Sequence, residues 1–272
     1  ASRMTLAGLL LTSYFYFVNK ESLKLSKAAC LRVFWAALTN IFLCNYFEFI
    51  SLKYLDAAKT SFIYNLSPFL SAIISFFLLK ERLSWKKGLG LSIGFLGMIP
   101  ILFSQSAGEA NLLHFFGFLS LAECTMLLAV LCTVLGWILM RKLITVDHVS
   151  PLKATAYTQL IGGLVAFAAS YYLEDWQNGP PIRDYDTFFK LSFLMLIVSN
   201  LIAYNLYGQL LKTFTAPFVA FCGFSTPFFV AVISYFTHGE VVGWHFLVSC
   251  AVVFLGLWLF YQEELKKGIR NK

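Results

Sequence analysis

The stretch that decides the fold reads PFLSAIISFFLLKE at residues 68–81 and returns as PFFVAVISYFTHGE at residues 227–240. The copies are 159 residues apart, and at that offset residues 52–97 match residues 211–256 at fifteen of 46 positions without a gap. Unrelated segments of such apolar composition should match at roughly three to five positions. An internal duplication in a hydrophobic chain is typical of membrane transporters built from two related halves.

Composition alone predicts a membrane protein. Hydrophobic residues make up 59% of the 272 residues and charged residues only 13%, whereas charged residues are about a quarter of an ordinary soluble domain. A helix of about 20 apolar residues crosses the roughly 30 Å of membrane hydrocarbon. Nine runs of this kind predict an all-α membrane protein, with helices at residues 1–18, 28–50, 54–79, 84–104, 114–140, 151–173, 187–211, 214–238 and 241–262.

The duplication also predicts how the helices are organised. We expect one transmembrane domain, with a first repeat at residues 1–104 (helices 2–5 of ten) and a second at residues 105–272 (helices 6–10). Shifted back by the offset, the helix at 114–140 has no counterpart, so we expect a first helix that is missing before Ala1; a cleaved signal peptide is the alternative. Five helices cross a membrane an odd number of times, and the two repeats are therefore inverted.

Lysine and arginine are divided unequally between the two sides of the predicted membrane domain. Sixteen of them lie on one side and five on the other. Because cytoplasmic loops carry the excess of positive charge, we expect the turn at residues 80–87 and the C-terminus to be cytoplasmic. Membrane topology then explains the net charge of +7, and nucleic-acid binding is not expected.

Three motifs of the first copy resemble the repeat signature of the EamA-like branch of the drug/metabolite transporter superfamily. They are YLDAAKTS at 54–61, LSPFL at 66–70 and LKERLS at 79–84, and a glycine-rich helix follows them. The second copy keeps STPF at 225–228 but has Val-Val in place of Arg-Leu after Glu240. The resemblance implies ten helices in two inverted halves, a location in the bacterial inner membrane, and transport of a small organic solute by alternating access.

The duplicated proline and glutamate are candidate hinge and gate residues. A proline within a helix removes a backbone hydrogen bond, so we expect Pro68 and Pro227 to bend their helices near the bilayer centre. Glu81 and Glu240 stand at helix ends, where a carboxylate can bind a helix N-terminus or a basic side chain. We interpret these glutamates as clamps, Glu81 at the cytoplasmic gate and Glu240 at the outer gate, rather than as substrate ligands.

Glu123 is the principal candidate for a substrate-binding residue. It lies about nine residues into the predicted helix at 114–140, close to the middle of the hydrocarbon. An ionisable group at that depth needs a partner or access to water. Glu123 is either a protonated carboxyl group bonded to a neighbouring helix or a cavity residue that handles substrate or protons.

Polar and aromatic side chains within the other apolar helices complete the predicted substrate site. Asn200, Tyr204 and Tyr207 have the i, i+4, i+7 spacing of one helix face. Hydrogen bonding between helices explains each residue taken singly. Around one carboxylate, however, the group suits a small polar metabolite whose cationic part binds to aromatic faces. The remaining candidates are Tyr64, Asn65, Asn40, Asn45, Gln159, Phe224 and Ser225.

The sequence favours a secondary transporter, with an intramembrane enzyme and a receptor-like membrane scaffold as alternatives. Neither H-E-x-x-H nor a phosphate-binding glycine loop occurs, so we expect no catalytic residue, metal or cofactor. Uniport, exchange and proton coupling all remain open. The predicted site and the resemblance point to an amino-bearing or cationic substrate, with S-adenosylmethionine (exchanged for S-adenosylhomocysteine) and amino acids as candidates. The expected partners are this solute and the lipid bilayer, and the protein is either a monomer or a homodimer.

Overall fold

The computed structural model describes residues 1–19, 25–55, 60, 63–80, 84–105, 121–173, 184–226, 228–229, 232–233, 236 and 244–270. Within these residues there are nine helices and no strand, which confirms the predicted all-α class. Helix α1 is Ser2–Tyr14, continued by the π-helical turn Phe15–Asn19. The other helices are α2 Lys27–Ser51, α3 Ser67–Leu79, α4 Trp85–Gln105, α5 Leu121–Thr145, α6 Pro151–Leu173, α7 Tyr185–Thr213, α8 Ala216–Ser225 and α9 Trp244–Arg270.

Three of the described helices, α2, α5 and α7, are long and apolar enough to cross a membrane. Helices α3 and α8 and the part of α9 from Leu247 to Glu263 are apolar but shorter. Side-chain caps start two of the long helices: Ser26 Oγ accepts a hydrogen bond from the Ala29 N–H, and Asp184 Oδ1 accepts one from the Thr187 N–H. Hydrogen bonds from Thr187 stabilise the charged form of Asp184 and hold the pKa of its carboxyl group below the ordinary value.

The chain forms two compact units, and unit 1 consists of Ala1–Tyr46 and Cys132–Thr213. In this unit α1 packs along α6 so closely that the backbones of the two helices are in contact. A Cβ atom added to Gly163 would lie 2.6 Å from the backbone nitrogen of Thr5, so only glycine permits this approach. An ion pair between Arg32 of α2 and Asp147 connects α2 to the loop after α5.

Two π-helical segments lie at corresponding positions in unit 1, Ala37–Leu43 in α2 and Leu196–Ala203 in α7. The duplication offset carries the first segment onto the second to within one residue. At the end of each, the N–H of Cys44 or Tyr204 bonds to the carbonyl group five residues back. Segments of this kind are rare and occur frequently at functional sites. The duplication therefore extends beyond the 46 matched positions into α2 and α7.

Unit 2 consists of Phe47–Leu131 and Phe214–Lys272, and its main packed pairs are α4 with α9 and α3 with α8. At the α4–α9 contact, a Cβ atom on Gly90 would lie 2.7 Å from the carbonyl oxygen of Gly256. An aromatic-rich core fills the unit. Its buried members are Leu91, Phe218, Phe221, Phe224, Cys250, Val253 and Phe260.

The compact units do not follow the division into two sequence repeats. At the duplication offset α2 corresponds to α7 and α4 to α9, and the first pair lies largely in unit 1 while the second lies in unit 2. Each unit thus contains helices from residues 1–104 and from residues 105–272. The repeat boundaries remain a prediction from the sequence.

The predicted helix at 54–79 is interrupted before its proline. Asn65 and Leu66 form a turn, and α3 begins after it with Pro68 in its first turn. A proline is accommodated there because the first N–H groups of a helix have no partner within it. Pro68 therefore follows a break rather than bending a continuous helix. In the second copy the turn Gly223–Ser225 is a 3-10 helix at the corresponding place, and Pro227 lies outside the described residues.

Candidate functional site

Two consecutive residues of α5, Gly136 and Trp137, contact α2 within its π segment and α7 directly after its π segment. A Cβ atom on Gly136 would lie 2.9 Å from the backbone nitrogen of Asn40 in the first segment. The Trp137 ring stacks on Tyr207, with centroids 3.8 Å and planes 24° apart. It also lies beside Tyr204, the residue that follows the second π segment, with centroids 5.3 Å and planes 37° apart. We call Trp137, Tyr204 and Tyr207 the aromatic stack.

Within the aromatic stack, Trp137 lies on an interior stretch of α5, and the two tyrosines contact it from α7. No residue from Cys132 to Ile144 is exposed, and the three rings of the stack are half-buried. The outward side of α7 is not the side that carries Tyr204 and Tyr207. It carries Ile202 and Leu206, which are 57% and 55% exposed. Partly accessible aromatic rings on an interior helix are typical of a wall that contacts a small molecule. The sequence predicted both tyrosines but missed Trp137, because nothing in the pattern of α5 distinguishes its aromatic residue from a lipid-facing one.

Two asparagines with the same spacing occur in or directly after each of these two π segments. Asn40 and Asn45 of α2 match Asn200 and Asn205 of α7 at an offset of 160 rather than 159. Asn45 Nδ2 and Asn205 Nδ2 each donate a hydrogen bond to the carbonyl group four residues back, at 2.8 and 2.7 Å. A π turn leaves carbonyl groups without their usual donor, and these amides supply one. The sequence prediction selected Asn40, Asn45 and Asn200 but not Asn205; the repeated N-x-x-x-x-N spacing is the signal that identifies all four.

Gln159 of α6 holds Asn200 in place. Both side chains are fully buried; Asn200 Nδ2 donates to Gln159 Oε1 at 3.2 Å, and Gln159 Nε2 donates to the Asn200 carbonyl at 2.9 Å. Asn200 therefore faces α6, whereas Tyr204 and Tyr207 face Trp137 of α5. The predicted common face of these three α7 residues divides between two neighbours because the π segment changes the helical phase. A substrate-binding role for Asn200 or Asn45 remains a prediction.

The candidates around the two duplicated turns lie in unit 2. Phe224 is 2% exposed and packs edge-on against Phe221, with ring centroids 4.9 Å apart, so it belongs to the core. Ser225 Oγ donates to the carbonyl group of Cys222 at 2.7 Å. Tyr64 and Asn65 occupy the first-copy positions before Pro68 and are half-buried. Substrate binding by these residues remains a prediction.

Glu123 lies in the first described turn of α5 and is 7% exposed. Its predicted depth within a longer helix remains an expectation, since residues 106–120 lie outside the described part. Trp137 follows 14 residues later on the same helix, which corresponds to about 21 Å at 1.5 Å per residue. Glu123 belongs to unit 2 and the aromatic stack to unit 1, and a substrate-binding role for Glu123 remains a prediction.

The predicted gate residues Glu81 and Glu240 also lie outside the described residues, as does Pro227, and their roles stay predictions. Just before Glu81, α3 ends at Leu79, and its C-cap residue Lys80 adopts the left-handed conformation with φ 56°. In the part of the chain that the structure describes, no three His, Cys, Asp or Glu side chains are grouped as metal ligands.

The sequence matches the family described as the EamA-like transporter family over residues 1–103 and 120–262. A protein of Chlamydia muridarum (strain MoPn / Nigg), named S-adenosylmethionine/S-adenosylhomocysteine transporter, is 32% identical over 269 residues, which cover 98% of this chain and 83% of the relative. A protein of the same name from Chlamydia trachomatis serovar L2 (strain ATCC VR-902B / DSM 19102 / 434/Bu) is 33% identical over 270 residues, with coverage of 98% and 81%. The resemblance seen in the sequence motifs is thereby confirmed.

A solved structure, described only as a crystal structure of a protein, superposes on this chain with a TM-score of 0.75. The superposition covers 96% of this chain and 86% of the other, at 14% sequence identity. At that identity the likeness shows a shared fold and carries no information about substrate.

Proposed function

Because the chain belongs to the EamA-like transporter family, we propose that it exchanges S-adenosylmethionine for S-adenosylhomocysteine across a bacterial cytoplasmic membrane. The protein is a multi-pass membrane transporter of a small molecule. The two chlamydial relatives, which match almost the whole chain, are named for this solute pair. The pair also agrees with the amino-bearing or cationic metabolite that the sequence favours.

The aromatic stack is the structural observation that best supports this substrate class. Both solutes contain a flat purine, and S-adenosylmethionine carries a sulfonium cation as well. Purines and cations both bind to aromatic faces, whereas a simple sugar or carboxylate has no such group. Trp137 of α5 and Tyr207 of α7 present an indole and a phenol in one stacked arrangement.

The duplicated helix breaks supply the moving parts in this proposal. The turn at Asn65–Leu66 and the 3-10 turn Gly223–Ser225 interrupt the two copies at corresponding positions. Discontinuous helices at related positions are a recurring feature of inverted-repeat transporters. Glu81 and Glu240 act as clamps at the two gates. The proposed exchange requires no cofactor and makes or breaks no covalent bond, so the protein has no enzymatic role in this account.

Counterflow into liposomes tests the exchange. Purified protein is reconstituted into liposomes loaded with unlabelled S-adenosylhomocysteine, and the uptake of radiolabelled S-adenosylmethionine is followed. We expect loaded proteoliposomes to take up several times more label than unloaded ones, because the internal solute completes the return step of the cycle. Protein-free liposomes with the same load are the control and should take up none.

The other outcomes of this experiment contradict exchange, assign a different coupling or change the proposed substrate. Equal uptake by loaded and unloaded proteoliposomes supports uniport and contradicts exchange. Uptake that requires an imposed pH gradient assigns proton coupling. If an amino acid drives counterflow and neither S-adenosyl compound does, the amino-acid alternative replaces the proposed substrate pair.

A further inference from the structure

We propose that the aromatic stack is the place where the adenine ring of the transported solute binds, with Trp137 as the main contact. The inference rests on the proposed function for the identity of the solute. It assigns a binding site to the Trp137 ring, which no sequence motif singled out, and it assigns the contact to the purine rather than to the sulfonium group.

Ring orientation favours a flat ligand. The planes of Trp137 and Tyr207 are 24° apart, and those of Trp137 and Tyr204 are 37° apart. An aromatic cage around a cation has rings that stand at steep angles and turn their faces toward a common centre. The stacked rings of Trp137 and Tyr207, with centroids 3.8 Å apart, cover one face of each other, and a planar heterocycle extends such a stack by binding to its outer face. Adenine is planar, whereas a sulfonium group is a compact pyramidal cation.

The stack lies where α5 meets the first duplicated π segment and the residues that directly follow the second. Because Gly136 has no side chain, the first segment reaches the α5 backbone at Asn40, one residue from Trp137. The second segment ends at Ala203, and Tyr204 follows it directly. Corresponding interruptions in two related helices are the arrangement expected at the solute site of an inverted-repeat transporter. Sequence duplication and ring geometry, two independent observations, therefore indicate the same place in unit 1.

A contact with adenine has a consequence for exchange. The purine is common to both solutes, whereas the positive charge at sulfur is present only in S-adenosylmethionine. A site that binds the purine holds both solutes with similar strength, so either can displace the other. Trp137 then contributes affinity to each half of the cycle without selecting between them.

Substitution of Trp137 tests the assignment in purified full-length protein. Trp137→Leu removes the ring, Trp137→Phe keeps an aromatic face, and Trp258→Leu removes a tryptophan of unit 2 that is 56% exposed, as a matched control. Binding is measured by competition of unlabelled S-adenosylmethionine, S-adenosylhomocysteine and adenosine against radiolabelled S-adenosylhomocysteine. We expect Trp137→Leu to weaken all three by roughly tenfold or more, given the stacking contribution of a base. Trp137→Phe should retain most of the affinity and Trp258→Leu all of it.

The outcomes separate this inference from the proposed function. Undiminished binding of all three compounds by folded Trp137→Leu overturns the adenine site alone. A loss confined to S-adenosylmethionine also overturns it, because the stack then binds the sulfonium group. Wild-type protein that binds none of the compounds overturns the proposed function together with the inference. Size-exclusion and thermal unfolding verify that each variant is folded, and Tyr207→Leu is judged by the same criteria if Trp137→Leu does not fold.

Discussion

Several amide side chains of unit 1 donate hydrogen bonds to backbone carbonyl groups, either of their own helix or of a neighbouring one. Asn45 and Asn205 each donate to a carbonyl group within a π segment, and Gln159 donates to the carbonyl group of Asn200. A hydrogen bond of this kind contributes about 1 kcal/mol net, but an unpaired buried group costs about 1–3 kcal/mol. These residues are thus needed for folding whether or not they touch substrate. Glu123 differs from them, because it is an ionisable side chain in a hydrophobic helix.

We expect Glu123→Gln to alter the rate or the pH dependence of exchange and to leave S-adenosylhomocysteine binding unchanged. The reason is that Glu123 lies about 21 Å along α5 from Trp137, so it can take part in a proton-dependent step but not in contact with adenine at the stack. Exchange is measured in proteoliposomes at acidic, neutral and alkaline pH, and binding is measured on the same preparation.

Glu48→Gln is the matched control, since Glu48 is a half-buried carboxyl group on α2. It should leave the exchange profile of the wild type intact. A wild-type profile in Glu123→Gln assigns Glu123 a structural role, and a strong loss of binding places it against the substrate.

At the scale of the element, a proline acts through its position in the helix. Pro68 stands in the first turn of α3, where it removes no hydrogen bond, and the preceding turn at Asn65–Leu66 separates it from the helical residues Ile63 and Tyr64. Ser67, directly before the proline, already belongs to α3, so the break lies two residues upstream of the proline. The 3-10 turn Gly223–Ser225 stands at the corresponding place in the second copy.

Replacement of Pro68 by alanine should slow exchange several-fold and preserve solute binding. Alanine permits the α-helix to run through residues 65–66, which removes the flexible point between its two parts. Counterflow rates and equilibrium binding are compared in the same preparation. Pro217→Ala is the control, because Pro217 stands in the first turn of α8 behind Thr215, whose backbone is already extended. An exchange rate equal to that of the wild type in Pro68→Ala contradicts the hinge.

For the whole molecule, the duplication is expressed in the pairing of helices within the units. Gly97 and Gly256 correspond at the 159-residue offset, and both lie at the α4–α9 contact of unit 2. A Cβ atom on Gly97 would lie 3.0 Å from the Val253 nitrogen, and one on Gly256 would lie 2.6 Å from the Gly94 nitrogen. Because α4 and α9 are related by the duplication, each contributes a glycine at the same position to their contact. These two small residues allow the helices to pack closely against each other.

From the predicted inverted repeats and the charge distribution we expect a cytoplasmic C-terminus, which a reporter fused after Lys272 tests. Green fluorescent protein at that position should fluoresce, whereas alkaline phosphatase, which is active only after export, should be inactive. The same two reporters inserted among residues 174–183 should give the opposite pattern. Active phosphatase after Lys272 would reverse the proposed orientation.

The sequence by itself determined the membrane class, the helical segments, the duplication and the family. Each of these follows from short-range physics, because an apolar segment in lipid must satisfy its backbone hydrogen bonds within one helix. It also identified Tyr204 and Tyr207, whose spacing is local. Only the tertiary structure decided that Asn200 faces Gln159, that Trp137 completes the aromatic stack, and that each compact unit combines helices from both repeats. Those features depend on which helices pack together and on where π turns shift the helical phase. In an apolar chain many helix pairings bury similarly hydrophobic surfaces. The fit between side chains that are distant in sequence therefore decides which helices pair.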